Sequence, residues 1–177
     1  LIRLLLAKGA DPNGLTGPSR ITWVTEANFG VPPPSVPPTP PLLIAAANGR
    51  KDAMMLLLAA GADPRFVAAD GTNVVLAAAR GGSAATLDYA LSLAPVVDIA
   101  GKDGMTALHL LVAGGVQPEL EAMLHILAAR GARTDIPSKY GKTAAQMADG
   151  GLTEVKQIFR AVFPDKMSVK PAPNSAR

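Results

Sequence analysis

LLLAKGADP at residues 4–12 returns almost letter for letter as LLLAAGADP at 56–64, more loosely as LSLAPVVDI at 91–99, and again as HILAARGARTDI at 125–136. A second echo alternates with it: PLLIAAANG at 41–49, NVVLAAARGG at 73–82, TALHLLVAGG at 106–115 and TAAQMADGG at 143–151. Taking Asp63, Asp98 and Arg133 as equivalents gives a period of 35 residues, and Asp11 to Asp63 spans 52, one period plus an insertion. Two echoes per period predict two elements per unit. Each unit reads as a short Ala-rich helix, a Gly turn, a longer amphipathic helix and a Gly/Asp/Pro connector. In the second unit, Leu42 to Ala47 gives the first helix, Asp52 is expected to cap the second, and Gly61 marks its end. In the fourth, Pro118, Glu119 and Glu121 suit a first turn, with Leu120, Met123, Leu124 and Leu127 on one face. Helices of about 8 to 12 residues are marginal alone in water, so their apolar faces must be buried against neighbouring units.

Composition agrees and excludes much else. Of 177 residues, 49% are apolar but only 4% aromatic, and 32 are alanine, so the core is built from small and aliphatic side chains. There is no cysteine and only two histidines, which removes disulfides, thiolate metal sites and cysteine nucleophiles. No stretch approaches the roughly 18 to 20 apolar residues of a membrane-spanning helix. Net charge is +3, far short of a dedicated nucleic-acid binder. The charge is uneven: residues 130–177 hold nine Lys or Arg against four Asp or Glu. Arg130, Arg133, Lys139 and Lys142 cluster around the last connector, a candidate site for an acidic partner or a merely solvated end unit. The opening LIRLLLAKGADPN has neither initiator methionine nor signal-peptide pattern and reads as the interior of a larger protein.

The phrase DGMTALHLLVAGG at 103–115 resembles the opening of an ankyrin repeat, and LLLAAGADP its second helix and exit. The resemblance runs over about residues 1–163 and is similar to that of bacterial multirepeat ankyrin proteins. It implies an all-α solenoid of stacked helix-turn-helix units with projecting fingers. The expected organisation is a repeat domain over 1–164: a partial repeat 1–13, a Pro-rich insert 14–39, repeats 40–70, 71–103 and 104–140, and a capping unit 141–164. The second, third and fifth units depart from the family's Thr-Pro-Leu-His with Pro40-Pro41-Leu42-Leu43, Asn73-Val74-Val75-Leu76 and Thr143-Ala144-Ala145-Gln146. Loss of the Thr and His hydrogen bonds should weaken those turns. The last helix, TEVKQIFRAVF, should turn Val155, Ile158, Phe159 and Val162 inward and Lys156, Gln157 and Arg160 outward.

Two regions break the period. In the insert, seven prolines between Pro32 and Pro41 exclude helix and predict polyproline II, while ITWVTEANF could form a short hairpin. The tail 165–177 is polar, aperiodic and expected to be disordered.

Enzyme motifs are absent: no GxSxG elbow, Walker loop, GxGxxG after a strand, or HExxH. His109, in TALH, resembles the family's structural histidine that hydrogen-bonds the turn. His125 reads as a helix-surface residue, Ser83 as a helix N-cap, and Asp70-Gly71 and Asp103-Gly104 as tight turns rather than metal loops. What remains is surface. The resemblance implies a noncatalytic scaffold that binds a protein partner through a concave face and its fingers, as a monomer, with no cofactor, no metal, and neither nucleic acid nor membrane as partner. The alternative is a regulatory or targeting arm of a larger enzyme. Candidate contact residues are Arg65, Phe66, Lys102, Lys139 and Tyr140, with Ser138, in the fingers, and Trp23 and Phe29 in the insert. Phe66 and Tyr140 either meet a partner or pack on the neighbouring finger; Trp23 either anchors the insert or is presented.

Overall fold

The computed structural model describes residues 1–17 and 38–164. Among them lie α1 (Ile2–Ala7), α2 (Pro41–Ala47), α3 (Lys51–Ala59), α4 (Val74–Arg80), α5 (Ala84–Leu93), α6 (Ala107–Ala113), α7 (Leu120–Ala129), α8 (Ala144–Asp149) and α9 (Thr153–Val162). The fold is all-α and repetitive, as the two-echo period requires. Trp23, Phe29, the hairpin and polyproline expectations and the tail fall outside the described residues.

The helices form two layers. In the inner layer α2 packs on α4, α4 on α6 and α6 on α8; in the outer, α1 on α3, α3 on α5, α5 on α7 and α7 on α9. Within a unit each inner helix packs on the outer helix that follows it. The Ala pairs explain the close inner stack: Ala45, Ala46, Ala78 and Ala79 are all buried, and short side chains let neighbouring backbones approach. In α4 every residue from Val74 to Ala79 is buried, the mark of a helix covered on all sides. Outer helices supply the bulk, through Met54, Leu57, Leu87, Leu91, Leu120, Met123, Leu124 and Leu127. Each large side chain buried in this way contributes roughly 1.5–3 kcal/mol by transfer from water. In α9, Val155 and Phe159 close the stack, Phe163 just beyond lies 4.9 Å from Phe159 ring to ring, and Gln157 and Arg160 stay exposed.

Helix starts differ from expectation in two places: α7 begins at Leu120, so Glu119 is its N-cap and Pro118 lies before it rather than in its first turn. Asp52 does not cap α3; it lies inside the first turn, and Arg50 occupies the N-cap with no side-chain hydrogen bond. Ser83 does cap α5, its hydroxyl accepting from the Thr86 amide at 3.4 Å. Glu119 from the next unit adds a second acceptor there, taking the Ala84 amide at 2.7 Å.

Side-chain stitching corrects the repeat register. Asn13 accepts from the Asp63 amide at 2.8 Å and donates to the Gly61 carbonyl at 2.9 Å, while Asp98 accepts from the Arg133 amide at 3.0 Å. Asp98 therefore corresponds to Asn13 and not to Asp11, and the 35-residue spacing joins unlike positions. The finger-closing glycines Gly71, Gly104 and Gly141 are 33 and 37 residues apart. The longer step comes mainly from the α6–α7 turn, which takes residues 114–119 where α4–α5 takes only 81–83.

Candidate functional site

Three connectors fold into the same tight finger. Ala68 N donates to Thr72 O (2.8 Å), Gly101 N to Met105 O (3.1 Å) and Ser138 N to Lys142 O (2.9 Å). Adjacent fingers are tied backbone to backbone, Lys102 N to Asp70 O at 3.1 Å and Lys139 N to Asp103 O at 2.7 Å. Glycine is required where neighbouring fingers meet: at Gly104, φ is +73° and a Cβ would stand 2.9 Å from the Lys139 nitrogen. The fingers are thus a fixed row, not independent loops.

Between this row and the inner helices run three depressions that share walls. The first, about 490 Å³, lies over Leu43, Ile44 and Ala47 and reaches Asp70, Thr72 and Arg80. The second, about 250 Å³, is bounded by those same three residues and by Lys102, Asp103, Lys139 and Tyr140. The third, about 430 Å³, continues from Met105 and Tyr140 to Val112, Met147 and Leu152. Because neighbours share residues, the three form one groove along the face made by the first helices and the fingers.

The groove's carboxylates are engaged within the protein. Asp70 accepts from the Thr72 amide (2.9 Å) and hydroxyl (2.8 Å), and Arg80 donates to the same hydroxyl at 3.3 Å. Partial burial works to raise the Asp70 pKa, but the Thr72 hydrogen bonds and the Arg80 charge outweigh it and hold the carboxyl below its ordinary value. Asp103 accepts from the Met105 amide at 3.0 Å. Lys102 and Lys139 are exposed, and among the described residues their ammonium groups meet no hydrogen-bonding or ionic partner. Tyr140 is 76% exposed, the most exposed aromatic side chain among the described residues.

Of the residues read from the sequence, Lys102, Lys139 and Tyr140 come together in this groove. Arg65 is exposed elsewhere, its amide bonded to Asp63 at 2.8 Å. Phe66 is half-buried and packs on the core, while Ser138 is buried. His125 stands 4.0 Å from Glu121 on the exposed side of α7. The suspected basic cluster separates: Arg130 pairs with Asp88 and Arg133 with Asp135, leaving Lys139 and Lys142. Arg80 was missed. Its only signal is a basic residue in the last turn of an inner helix, and nothing local says that the turn faces Asp70 and Thr72. Among the described residues, no three His, Asp or Glu side chains are placed to hold a metal ion.

A family model described as ankyrin repeats (3 copies) matches residues 42–138, more than half of the chain. No curated protein matches it.

Proposed function

The chain belongs to the ankyrin-repeat family, and from that premise we propose that it is a noncatalytic module that binds a protein partner along the groove between its fingers and its first helices. Ankyrin repeats are in general protein–protein interaction modules, and the family is typically without catalytic activity. The observation that carries the reading is the division of labour in the fingers. Asp70, Thr72 and Asp103 spend their polar atoms closing turns, whereas the side chains of Lys102, Lys139 and Tyr140, on the same rigid row, meet no polar partner among the described residues. The fingers' backbones are fixed in advance, so binding need order only the side chains, which lowers its entropic cost. Exposed aromatics of this kind often anchor interfaces.

The test is an affinity pulldown with the chain and with two variants, read by mass spectrometry. Tyr140→Ala should lose the partners that the parent retains, with the melting temperature unchanged because the side chain is exposed. Arg65→Ala, outside the groove, should keep them. A partner set indifferent to Tyr140→Ala but lost with Arg65→Ala would move the binding surface away from this groove.

A further inference from the structure

We infer that the groove's occupant is an extended acidic segment of another protein, its carboxylates lying against Lys102 and Lys139 and an apolar side chain against Tyr140; this deepens the protein-binding reading and rests on it. Three observations converge.

The first is charge. Asp70 is compensated by Arg80 and holds Thr72, so the first finger presents little net charge. The position that is Ala69 in the first finger is Lys102 in the second and Lys139 in the third, and the following Asp70 and Asp103 give way to Tyr140. Free positive charge therefore rises along the row, and the acid at the finger's turn disappears at its end.

The second is spacing. The two lysines occupy equivalent places on adjacent fingers locked by backbone hydrogen bonds, at 3.1 Å for Lys102 and 2.7 Å for Lys139. Stacked helices lie about 8–10 Å apart. A segment in extended polyproline II geometry advances about 3.1 Å per residue with three residues per turn, so carboxylates three residues apart fall on one face about 9 Å apart and match that separation.

The third is what flanks the cations. Beyond Tyr140 the groove passes Lys142 and Gln146 and becomes mainly apolar, over Met105, Val112, Met147 and Leu152. A polyanion with no apolar side chains would leave that wall uncovered. Nucleic acid is disfavoured too, since affinity for phosphate backbones comes from many Lys and Arg contacts, and the groove offers only the three ammoniums of Lys102, Lys139 and Lys142 without a partner among the described residues.

Asp103 stands against an acidic ligand, and that gives the experiment a further arm. Labelled twelve-residue peptides with Glu at every third position and Leu and Ser between are titrated against the chain by fluorescence anisotropy. Peptides with Gln or Lys in place of Glu, and a twelve-nucleotide single-stranded DNA, are run alongside. Each exposed ion pair is expected to contribute about two- to five-fold, so the Glu peptide should bind roughly ten-fold more tightly than the Gln peptide, and less so at higher salt. Lys102→Gln with Lys139→Gln should remove that difference. Asp103→Asn should increase it. Lys102→Glu with Lys139→Glu should exchange the preference, taking the Lys peptide instead. All of these positions are at the surface or half-buried, and circular dichroism melts verify that each variant folds.

If Gln and Glu peptides bind alike and Tyr140→Ala weakens both, the acidic assignment is overturned while the groove remains a protein-binding site. DNA that outcompetes the Glu peptide overturns the assignment in favour of nucleic acid. No binding by any peptide also overturns it, and the pulldown with Tyr140→Ala then decides the protein-binding reading separately.

Discussion

His109 shows how one side chain can fasten two repeats. It is fully buried, with Nδ1 3.2 Å from the Thr106 amide and 2.9 Å from the Thr106 hydroxyl, and Nε2 3.2 Å from the Lys142 carbonyl. The amide can only donate, so Nδ1 must be bare and Nε2 must carry the hydrogen that Lys142 accepts. A second proton would abolish the Nδ1 contact. Burial pushes the pKa below the ordinary histidine value, against the carbonyls of Lys142 and Ile136 and the charge of Asp103, which favour the cation. The unfolded chain therefore binds more protons than the folded one as pH falls through about 6.5. The stabilisation is complete above that pH and is lost progressively below it, toward the folded pKa. Denaturant midpoints measured from pH 7.5 down to 5 should fall in the parent. They should fall less in His109→Gln, whose amide can cap as Gln146 does for Thr143 at 3.1 Å. Equal slopes would assign the acid sensitivity to other groups. The histidine's structural role could be read from TALH, but its second partner lies 33 residues away and could not.

At the scale of the element, the question is how inner helices of six or seven residues start at all. The departures from Thr-Pro-Leu-His suggested weakened turns in three units, and the structure shows a substitute in two of them. Asn73 accepts from Val75 N at 3.0 Å and Leu76 N at 3.1 Å, and Thr143 with Gln146 forms a reciprocal box. Among the inner helices of the described residues, only α2, entered through Pro40 and Pro41, lacks a side-chain cap. Asn73→Ala should therefore cost about 1 kcal/mol, and Pro40→Thr should gain up to a similar amount. Both are read as shifts in the urea midpoint at constant slope, and a silent Asn73→Ala would mean that the stack alone holds α4. Helix existence was legible because the period, the Ala runs and the exit glycines all agree. The groove was legible only in part. Lys139 and Ser138 are neighbours in sequence, yet one is exposed and the other buried, because cross-finger backbone pairing decides which way each faces. The same long-range geometry pairs Arg130 with Asp88, 42 residues away, and dissolves the charge cluster that the sequence suggested.

For the molecule as a whole, stability should follow position in the stack, because each repeat is held mainly by its neighbours. Helix α1 has no buried residue and rests mainly on α3, tied down by the Asn13 bonds to Gly61 and Asp63 at 2.9 and 2.8 Å. Helices α4 and α6 have inner neighbours on both sides and are buried almost throughout. At the far end α9 covers α7 and α8 through Val155 and Phe159. Native-state hydrogen exchange should therefore open α1 first and α4 and α6 last. Removing the α9 anchor tests the direction of transmission. Phe159→Ala should cost roughly 3–5 kcal/mol for the vacated core volume, and its loss of protection should be greatest in α8 and α9, smaller in α7, and slight in α2 and α4. The third finger, which carries Lys139 and Tyr140, leads directly into α8, so the groove would loosen from that end while Arg80 and Lys102 keep their frame. Equal loss of protection in every helix would instead show that the repeats unfold as one unit, and the gradient would then have to be abandoned.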